Sequence, residues 1–345
     1  MEILTGAVSL APAALLGFSA HRAGLCTVKA VEEVVATRRA FMLLAFARSV
    51  LWVAGVTLAV ALFVPDARLR PESWALTLAG LGGGLLFGLG AVVNGGCAIS
   101  TLTRLGGGEL GMLGALLGFG FGVVAVDAGT TLGLLPIKAA APPLATPAHA
   151  FAPWLLLALA AWMAWELLRL VRTRPRGAGL RALLLADLYR LSTAAALIGI
   201  ANGLLYALHG PWVHTRTLRL VVSDGAGPPM LFWALFAAVL AGATLSAWQR
   251  GSLRLDARPR PVWLRHVAGG LAMGAGAALA PGGNDVLLLH GIPNLSPHAL
   301  PAFLAMLIGI ALTLAIARLF GVRPEKVDCG GDICRRPVPN NDASR

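Results

Sequence analysis

Charge is scarce in this sequence. Asp, Glu, Lys and Arg together make up 13% of the 345 residues, whereas hydrophobic residues make up 57%. A soluble domain is usually about a quarter charged, and the mean hydropathy here is +0.76. The composition therefore excludes an ordinary soluble domain and predicts an all-α polytopic integral membrane protein.

Acidic residues are the scarcer kind of charge, 16 against 28 Lys and Arg, which leaves a net charge of +12. The basic residues cluster in short segments between apolar runs and in the tail, and form no basic face interleaved with aromatics. This pattern is typical of topology determinants and of contacts with anionic headgroups. We therefore expect membrane lipid as a partner and no nucleic acid.

Several motifs are missing. The N-terminus has no basic leader and no A-x-A site, so we expect the first apolar segment to be retained. No G-x-x-x-x-G-K-[ST] occurs, so transport by this chain would be secondary or channel-like unless a separate subunit supplies ATP. The four cysteines do not form the pattern of a disulfide scaffold. We expect no cofactor.

Apolar segments long enough to approach a membrane span are abundant. Nine of them come near the roughly 20 residues that a spanning helix requires, and they cover residues 4–20, 41–64, 74–93, 110–135, 151–171, 191–208, 230–248, 264–280 and 299–320. If the tail is cytoplasmic, the basic loops 21–40, 172–190 and 249–263 all lie inside, as the positive-inside rule favours. The sequence thus predicts about nine transmembrane helices with a cytoplasmic C-terminus.

The two halves of the chain resemble one another. A shift of 186 residues superimposes seven glycine pairs: Gly17/Gly203, Gly24/Gly210, Gly83/Gly269, Gly84/Gly270, Gly88/Gly274, Gly90/Gly276 and Gly96/Gly282. An odd number of spans between the halves would invert the second copy, which is a recurrent transporter architecture. We predict a first repeat over 1–150, a linking helix and basic loop over 151–190, a second, inverted repeat over 191–321, and a polar tail over 322–345.

Glycine-rich breaks interrupt both repeats inside apolar sequence. The first repeat reads "NGGC" at Gly95, Gly96 and Cys97, and the second reads "PGGN" at Gly282, Gly283 and Asn284. Irregular backbone at membrane depth is tolerated only where protein buries it or water wets it. We therefore predict re-entrant loops with short half-helices whose N–H groups face an anion.

Polar residues follow the first of these breaks. Ser100 and Thr101 are candidate hydroxyl donors to the anion, and Arg104 is either a counter-charge or a residue of the membrane boundary. A second break in the first repeat, at Gly24, precedes Cys26, whose equivalent in the second repeat is Trp212. Both cysteines outside the tail therefore stand at glycine breaks.

Ionisable residues inside apolar segments are candidates for a functional role. Arg48 and Asp127 could pair with each other or lie on an ion path. Asp285, in the second break, carries a charge that is awkward for an anion carrier unless Arg or His neutralises it. In the tail, Cys329 and Cys334 could form a disulfide, carry or hand on sulfur, or belong to a disordered end.

The motifs "GFSAHRAGLC", "NGGCAIST" with "RLGGGELG", and "ALAPGGN" resemble the YeeE/YedE sulfur-transport family up to about residue 320. The resemblance implies an inner-membrane protein of two inverted arms that takes up thiosulfate past cysteines in a central path. The matching cysteines are Cys26 and Cys97, whereas Gly283 replaces the third. That departure leaves open a different sulfur or selenium compound.

The sequence thus predicts a transporter, not an enzyme, for a small sulfur-containing anion. Its path would be lined by Cys26, Cys97, Gly24, Gly95, Gly96, Ser100, Thr101, Gly282, Gly283 and Asn284. One alternative is a membrane sulfurtransferase or thiol-redox protein that forms a cysteine persulfide, for which His21 is the nearest base to Cys26. Another is a membrane subunit whose Cys329/Cys334 tail recruits a cytoplasmic sulfur carrier or sulfurtransferase.

Overall fold

The computed structural model describes residues 2–64, 73–131, 151–173, 186–223, 228–257, 260–321 and 328–335. Over these ranges the chain is almost entirely helical. The first half contains seven helices: α1 (Glu2–Ala23), α2 (Thr27–Thr37), α3 (Phe41–Phe63), α4 (Leu78–Asn94), α5 (Ala98–Gly106), α6 (Met112–Thr131) and α7 (Ala152–Arg172).

The second half follows the same plan. Its helices are α8 (Leu191–His209), α9 (His214–Ser223), α10 (Met230–Gln249), α11 (Val262–Leu279), α12 (Asn284–Val286), which continues as a π-helical turn (Leu287–Gly291), and α13 (Ala299–Leu319). Two short strands, β1 (Asp328–Gly330) and β2 (Ile333–Arg335), form an antiparallel hairpin. The fold is therefore all-α apart from this hairpin.

Seven helical segments in the described ranges are long and apolar enough to cross a membrane: Phe41–Phe63, Leu78–Gly106, Met112–Thr130, Ala152–Arg172, Leu191–His209, Met230–Gln249 and Ala299–Leu319. The two remaining segments of the sequence prediction coincide with α1 and α11. Many of the large hydrophobic side chains on these helices are exposed, as expected where lipid is the solvent. The protein is a polytopic, multi-pass membrane protein.

The helix bounds repeat at the 186-residue offset seen in the glycines. Shifted by 186, α2 falls on 213–223 and α3 on 227–249, which are the positions of α9 and α10. The short helix α5 falls on 284–292, where α12 and its π-helical turn lie. Among the described helices, only α7 has no counterpart. The broken helices thus occupy matching places in the two halves.

Packing between the halves is reciprocal. Helix α1 packs on α10, and its counterpart α8 packs on α3; helix α6 packs on α11, and its counterpart α13 packs on α4. Helices α4 and α11, which are counterparts of each other, also pack together. Such an exchange of partners is what a two-fold relation between the halves requires.

Glycines bring α4 and α11 unusually close. A Cβ atom on Gly83 would lie 2.7 Å from the carbonyl oxygen of Gly276, and one on Gly90 would lie 2.7 Å from that of Gly269. These four glycines form two of the pairs related by the 186-residue shift, Gly83/Gly269 and Gly90/Gly276, and each contact joins a member of one pair to a member of the other. Because small residues allow membrane helices to approach closely, these glycines set the crossing in front of both breaks.

The basic segments meet at one face of the protein, here called the basic-loop face. Arg22, at the end of α1, donates to Gln249 at the end of α10 over 2.6 Å. The backbone carbonyl of Arg22 accepts from the backbone N–H of Tyr189, just before α8, over 3.4 Å. Beyond α5, the Gly107 carbonyl accepts from the N–H of Arg254 over 3.0 Å. The ends of α1, α5 and α10 and the start of α8 therefore share this face.

The tail carries a hairpin docked on the basic-loop face. Cys329 and Cys334 are joined by a disulfide, which is one of the states left open by the sequence. Asp332, at the turn, accepts from the backbone N–H of Ser192 over 2.9 Å and from Arg190 Nε over 3.1 Å. The hairpin thereby caps the start of α8, so residues 328–335 are not the disordered end that the sequence also allowed.

Arg48 contributes to the same region. Its guanidinium lies 3.6 Å from Glu166 on α7 and 4.0 Å from Asp332. Glu166 is completely buried and also pairs with Arg169 at 2.8 Å. The acidic partners shown for Arg48 are therefore Glu166 and Asp332, rather than Asp127, which the sequence offered as a possible partner.

Several predicted boundaries lie outside the described residues: most of the polar break 172–181, the boundary at 150, and tail residues 322–327 and 336–345.

Candidate functional site

Both non-tail cysteines occupy the residue that precedes a short helix. Cys26 is the N-cap of α2 and Cys97 is the N-cap of α5, each with extended backbone. Both thiols are free and buried, with relative exposures of 1% and 0%. Each cysteine therefore lies at the start of a half-length helix, as the sequence predicted from the glycine breaks.

The two thiols meet although 71 positions separate them in the chain. The Cys26 and Cys97 thiols lie close enough to interact, and the Ser100 hydroxyl lies near the Cys26 thiol. The backbone N–H of Thr27, the first residue of α2, donates to Cys97 Sγ over 3.4 Å. A hydrogen bond to the Cys97 sulfur thus connects the N-terminus of α2 to that of α5.

Left-handed glycines make these breaks. Gly24, before Cys26, has a φ of 62°, and Gly95, before Cys97, has a φ of 79°. Gly282 in the second half has a φ of 154°. Glycine adopts such angles without the steric cost of a side chain. Gly96 has no room for a Cβ atom because the Ser100 hydroxyl fills that space.

The hydroxyls after Cys97 are already engaged. Ser100 and Thr101 donate to the Cys97 carbonyl over 3.1 and 3.0 Å. Thr101 also accepts from Asn94 Nδ2, over 2.8 Å. These bonds hold the break in shape, and the donation of the two hydroxyls to an anion stays a prediction of the sequence. A passing anion would have to exchange these bonds.

The second half reaches the thiols through Asn284. Its Nδ2 donates to the Thr27 hydroxyl over 3.1 Å, which joins the start of α12 to the start of α2. The side chain is completely buried, and its Oδ1 has no hydrogen-bond partner among the described residues. An unpaired buried amide oxygen is costly. The Oδ1 atom of Asn284 can therefore accept a further hydrogen bond close to the two thiols.

Gly283 stands where the resemblance would place a third cysteine. Its backbone angles, φ −73° and ψ 179°, match those of its counterpart Cys97, φ −76° and ψ 177°. The conformation therefore does not demand glycine here. A Cβ atom at this position would lie 2.9 Å from Asp285 Oδ1 and 3.3 Å from the Phe87 ring. A carboxylate and an aromatic ring occupy the surroundings of the missing thiol.

A cavity of about 240 Å³ lies beside this break. Gly282, Gly283 and Thr215 form part of its wall, and Arg216 and Arg219 of α9 line it as well. It is smaller than the ~300 Å³ typical of the smallest drug-sized pockets, which suits a small ion. Neither arginine was a candidate from the sequence, although their spacing of three in "HTRTLRL" puts them on one helix face.

The cavity lies away from the basic-loop face. One of its lining residues is Trp74, just before α4, whose backbone N–H donates to Ser296 over 3.1 Å. The opposite end of α4, at Asn94, contacts His266 near the start of α11, which follows the basic segment 249–257. The cavity and the basic-loop face therefore lie at opposite ends of α4.

His21 and Arg104, two further candidates from the sequence, bond to groups other than the thiols. His21 Nδ1 bonds to the Ser246 hydroxyl over 2.9 Å, whereas the contacts shown for the Cys26 thiol are Cys97 and Ser100. Arg104 pairs with Glu109 at 2.7 Å, and its Nη1 reaches the Gly95 carbonyl over 3.4 Å. Within the described part of the chain, no group of three His, Cys, Asp or Glu residues is placed to hold a metal ion.

Short helices from both halves therefore converge on a buried thiol pair, with a cationic cavity beside them. This arrangement defines a membrane protein with broken helices at its centre, the geometry of transporters that bind substrate between two repeats. A model of the sulphur transport family matches residues 22–312, more than four fifths of the chain. The chain belongs to this family, the YeeE/YedE sulfur-transport family. None of the curated proteins compared with the chain matches it.

Membership in a family of sulfur-compound transporters gives the coarse function. The match covers α2 to α12 and most of α13, and thus every residue of the predicted path. Gly24, Gly95 and Gly282 have positive φ angles at the breaks, and Thr27, the residue after Cys26, is bonded both to Cys97 and to Asn284. The cysteine pair of the tail lies beyond the matched range.

Proposed function

We propose that the protein imports a small sulfur-containing anion, thiosulfate in the first instance, along a central path that passes Cys26 and Cys97. The observation that carries the proposal is the contact of these two free thiols at the starts of α2 and α5. Asn284 reaches the same place from the other half. The terminal sulfur of thiosulfate is a soft acceptor that suits thiol donors.

Entry is assigned to the cavity beside Gly283. Arg216 and Arg219 line it, and positive charge in a concave site concentrates anions from solution. From there the ion passes Asn284 and then reaches the thiols. Helix α2 has 11 residues and α5 has nine, and both direct backbone N–H groups toward this point.

Thiols suit a path better than strong donors do. Conduction requires sites that bind an ion firmly enough to admit it and weakly enough to release it. An S–H group is a weak donor, so two adjacent thiols can pass a sulfur anion between them without trapping it. With Gly283 in place of a third cysteine, we assign the relay to two thiols and an amide.

Orientation follows from the basic residues. We place the basic-loop face in the cytoplasm of a bacterial cell, with the protein in the inner membrane, because Lys and Arg favour cytoplasmic loops. The docked hairpin of the tail then lies on the cytoplasmic side. Cys329 and Cys334 could hand sulfur to a cytoplasmic carrier or sulfurtransferase only after reduction, since a disulfide offers no thiolate.

Thiosulfate transport is tested with the purified protein in liposomes that contain no other protein. We expect labelled thiosulfate to enter, and unlabelled thiosulfate to compete far better than sulfate, which lacks the terminal sulfur. Selenium and other sulfur oxyanions in the same competition series test the alternative substrates. No uptake under any ion gradient would refute a transporter that works alone.

The alternative of a persulfide-forming enzyme has its own readout. Mass spectrometry of the protein after exposure to thiosulfate would show a lasting sulfane sulfur on Cys26 or Cys97. The proposal expects both thiols to return unmodified after turnover. Cys329→Ser/Cys334→Ser removes the other two cysteines, so that any added sulfur can be assigned to the central pair.

A further inference from the structure

Three buried polar side chains contact one another beside the cavity. Asp285 Oδ2 accepts from the Thr215 hydroxyl over 2.6 Å and lies 3.4 Å from His214 Nδ1. His214 and Thr215 open α9, and Asp285 belongs to α12, so the cluster joins the two short helices of the second half. Asp285 is completely buried, and His214 and Thr215 are 4% and 3% exposed.

The cluster is incompletely satisfied. Asp285 Oδ1 and His214 Nε2 have no hydrogen-bond partner among the described residues. Oδ1 points toward Gly283, where a Cβ atom would come within 2.9 Å of it. A buried carboxylate without a full set of donors is costly, and binding a proton removes that cost. The free oxygen faces the break that forms part of the cavity wall.

Several ionisable side chains lie on the elements around this cluster. Other than the pair itself, the ionisable side chains on α9, on the π-helical turn and on the elements packed against them and α12 are Arg216 and Arg219 on α9, His290 on the turn, Arg104 on α5, Asp127 on α6, Arg48 on α3, Tyr206 and His209 on α8, and Arg318 on α13. Helix α2, whose Thr27 contacts Asn284, carries Lys29, Glu32 and Glu33. Arg216 and Arg219 line the cavity. His290 bonds to the Trp212 carbonyl over 3.2 Å, and Arg104 pairs with Glu109.

We propose that Asp285, paired with His214, is the proton-binding site of the transporter and couples inward anion movement to inward proton movement. The inference rests on the proposed function, because it needs an anion that enters the same cavity. Thr215 holds Oδ2 and positions the carboxyl group. Oδ1 is the atom that takes the proton.

Charge repulsion supplies the coupling. An anion beside Thr215 and Gly283 raises the cost of the Asp285 charge, so the carboxylate takes up a proton from the cavity as the anion binds. Linkage is reciprocal: the bound proton favours the anion by the same factor. When the anion moves on to the thiols, the carboxyl group loses that stimulus and releases its proton inward, after the anion; release back into the cavity would leave the two movements uncoupled.

The test follows protons and label together. Liposomes with the membrane potential clamped at zero are loaded with a pH-sensitive dye, and labelled thiosulfate is added outside. For one proton per anion, an inward gradient of one pH unit should raise the steady-state accumulation of label about tenfold, and the lumen should acidify. In Asp285→Asn we expect exchange of labelled for unlabelled thiosulfate to continue, with no acidification and no effect of the gradient.

Glu166→Gln is the matched control. Glu166 is an equally buried carboxylate, paired with Arg169 away from the cavity, and its variant should keep the tenfold effect of the gradient. Thr215→Val serves if Asp285→Asn fails to fold. It removes a donor to the ionised carboxylate, so the pH of half-maximal uptake should rise; an unchanged pH profile would then overturn the inference.

The two failures are distinguishable. Thiosulfate uptake by the unmodified protein without proton movement overturns the coupling inference and leaves the proposed function intact. Acidification that persists in Asp285→Asn also overturns it. Absence of thiosulfate uptake by the unmodified protein refutes the proposed function, and the coupling inference falls with it.

Discussion

Replacing Gly276 by alanine tests whether the close crossing of α4 and α11 positions the site. The new Cβ atom would lie 2.5 Å from the Gly83 carbonyl oxygen and 2.5 Å from the Phe87 backbone nitrogen. Ordinary van der Waals contact begins near 3.4 Å, so each contact is about 0.9 Å too short. Both neighbours are backbone atoms of α4, which cannot rotate away.

The helices must therefore separate by most of an ångström. Overpacking of this kind costs about 1–3 kcal/mol. The displacement also reaches the site, because α4 leads into Gly95 and α11 leads into Gly282. Misplacement of reacting groups by about 1 Å can cost on the order of 100-fold in rate, and we expect a loss of uptake larger than the loss of folded protein explains.

Thermal unfolding in detergent and initial uptake rates measure the two effects. Gly82→Ala is the matched control, since Gly82 adjoins Gly83 on α4 but is exposed, and a Cβ atom there would meet nothing within 4 Å. Alanine should be neutral there or stabilise by up to about 1 kcal/mol. Equal midpoints and equal uptake for Gly276→Ala and Gly82→Ala would refute the close crossing.

Two further predictions concern the cysteines and the tail. In Cys329→Ser/Cys334→Ser protein, a mild thiol oxidant should join Cys26 to Cys97 in a disulfide and abolish uptake, and a reductant should restore uptake. If the oxidant leaves the mass of the protein without the loss of two hydrogen atoms that a disulfide requires, the two thiols do not meet. Asp332→Ala removes the cap of α8 and should lower the free energy of unfolding by about 0.5–2 kcal/mol, with uptake unchanged. If the Asp332→Ala protein is fully folded and still loses uptake, the hairpin has a direct role in transport.

The membrane fold was predictable because its signal is local. A run of about 20 apolar residues identifies a spanning helix without knowledge of its neighbours. The glycine coincidences were informative for a related reason, since Gly83, Gly90, Gly269 and Gly276 lie at one helix crossing that uses both halves. Left-handed Gly24 and Gly95 marked the ends of regular helix in the same way.

The chemistry of the site was only partly predictable. The sequence placed Cys26 and Cys97 at two breaks, but their contact depends on how α2 and α5 meet in three dimensions. The pairing of His214 with Asp285 joins residues 71 positions apart and could not be read from spacing. The sequence indicated only that Asp285 would require a neutralising partner.

Local and long-range hydrogen bonds engage polar residues whose partners the sequence left open. Ser100 and Thr101 are of the right type to donate to an anion, yet their hydroxyls donate to the Cys97 carbonyl. Hydroxyls near a helix start often bond to local backbone. Residues 328–335 of the tail form a hairpin in which Asp332 accepts from the N–H groups of Leu191 and Ser192 at the start of α8.

The central claim is that the two buried thiols line the path of the anion. Its most direct test is the initial rate of labelled thiosulfate uptake by Cys26→Ser and Cys97→Ser, each compared with the tail variant Cys329→Ser/Cys334→Ser at equal amounts of folded protein in the liposomes. Each central substitution should reduce the rate at least tenfold, while the tail variant retains the full rate. Full uptake by both central variants would contradict the account.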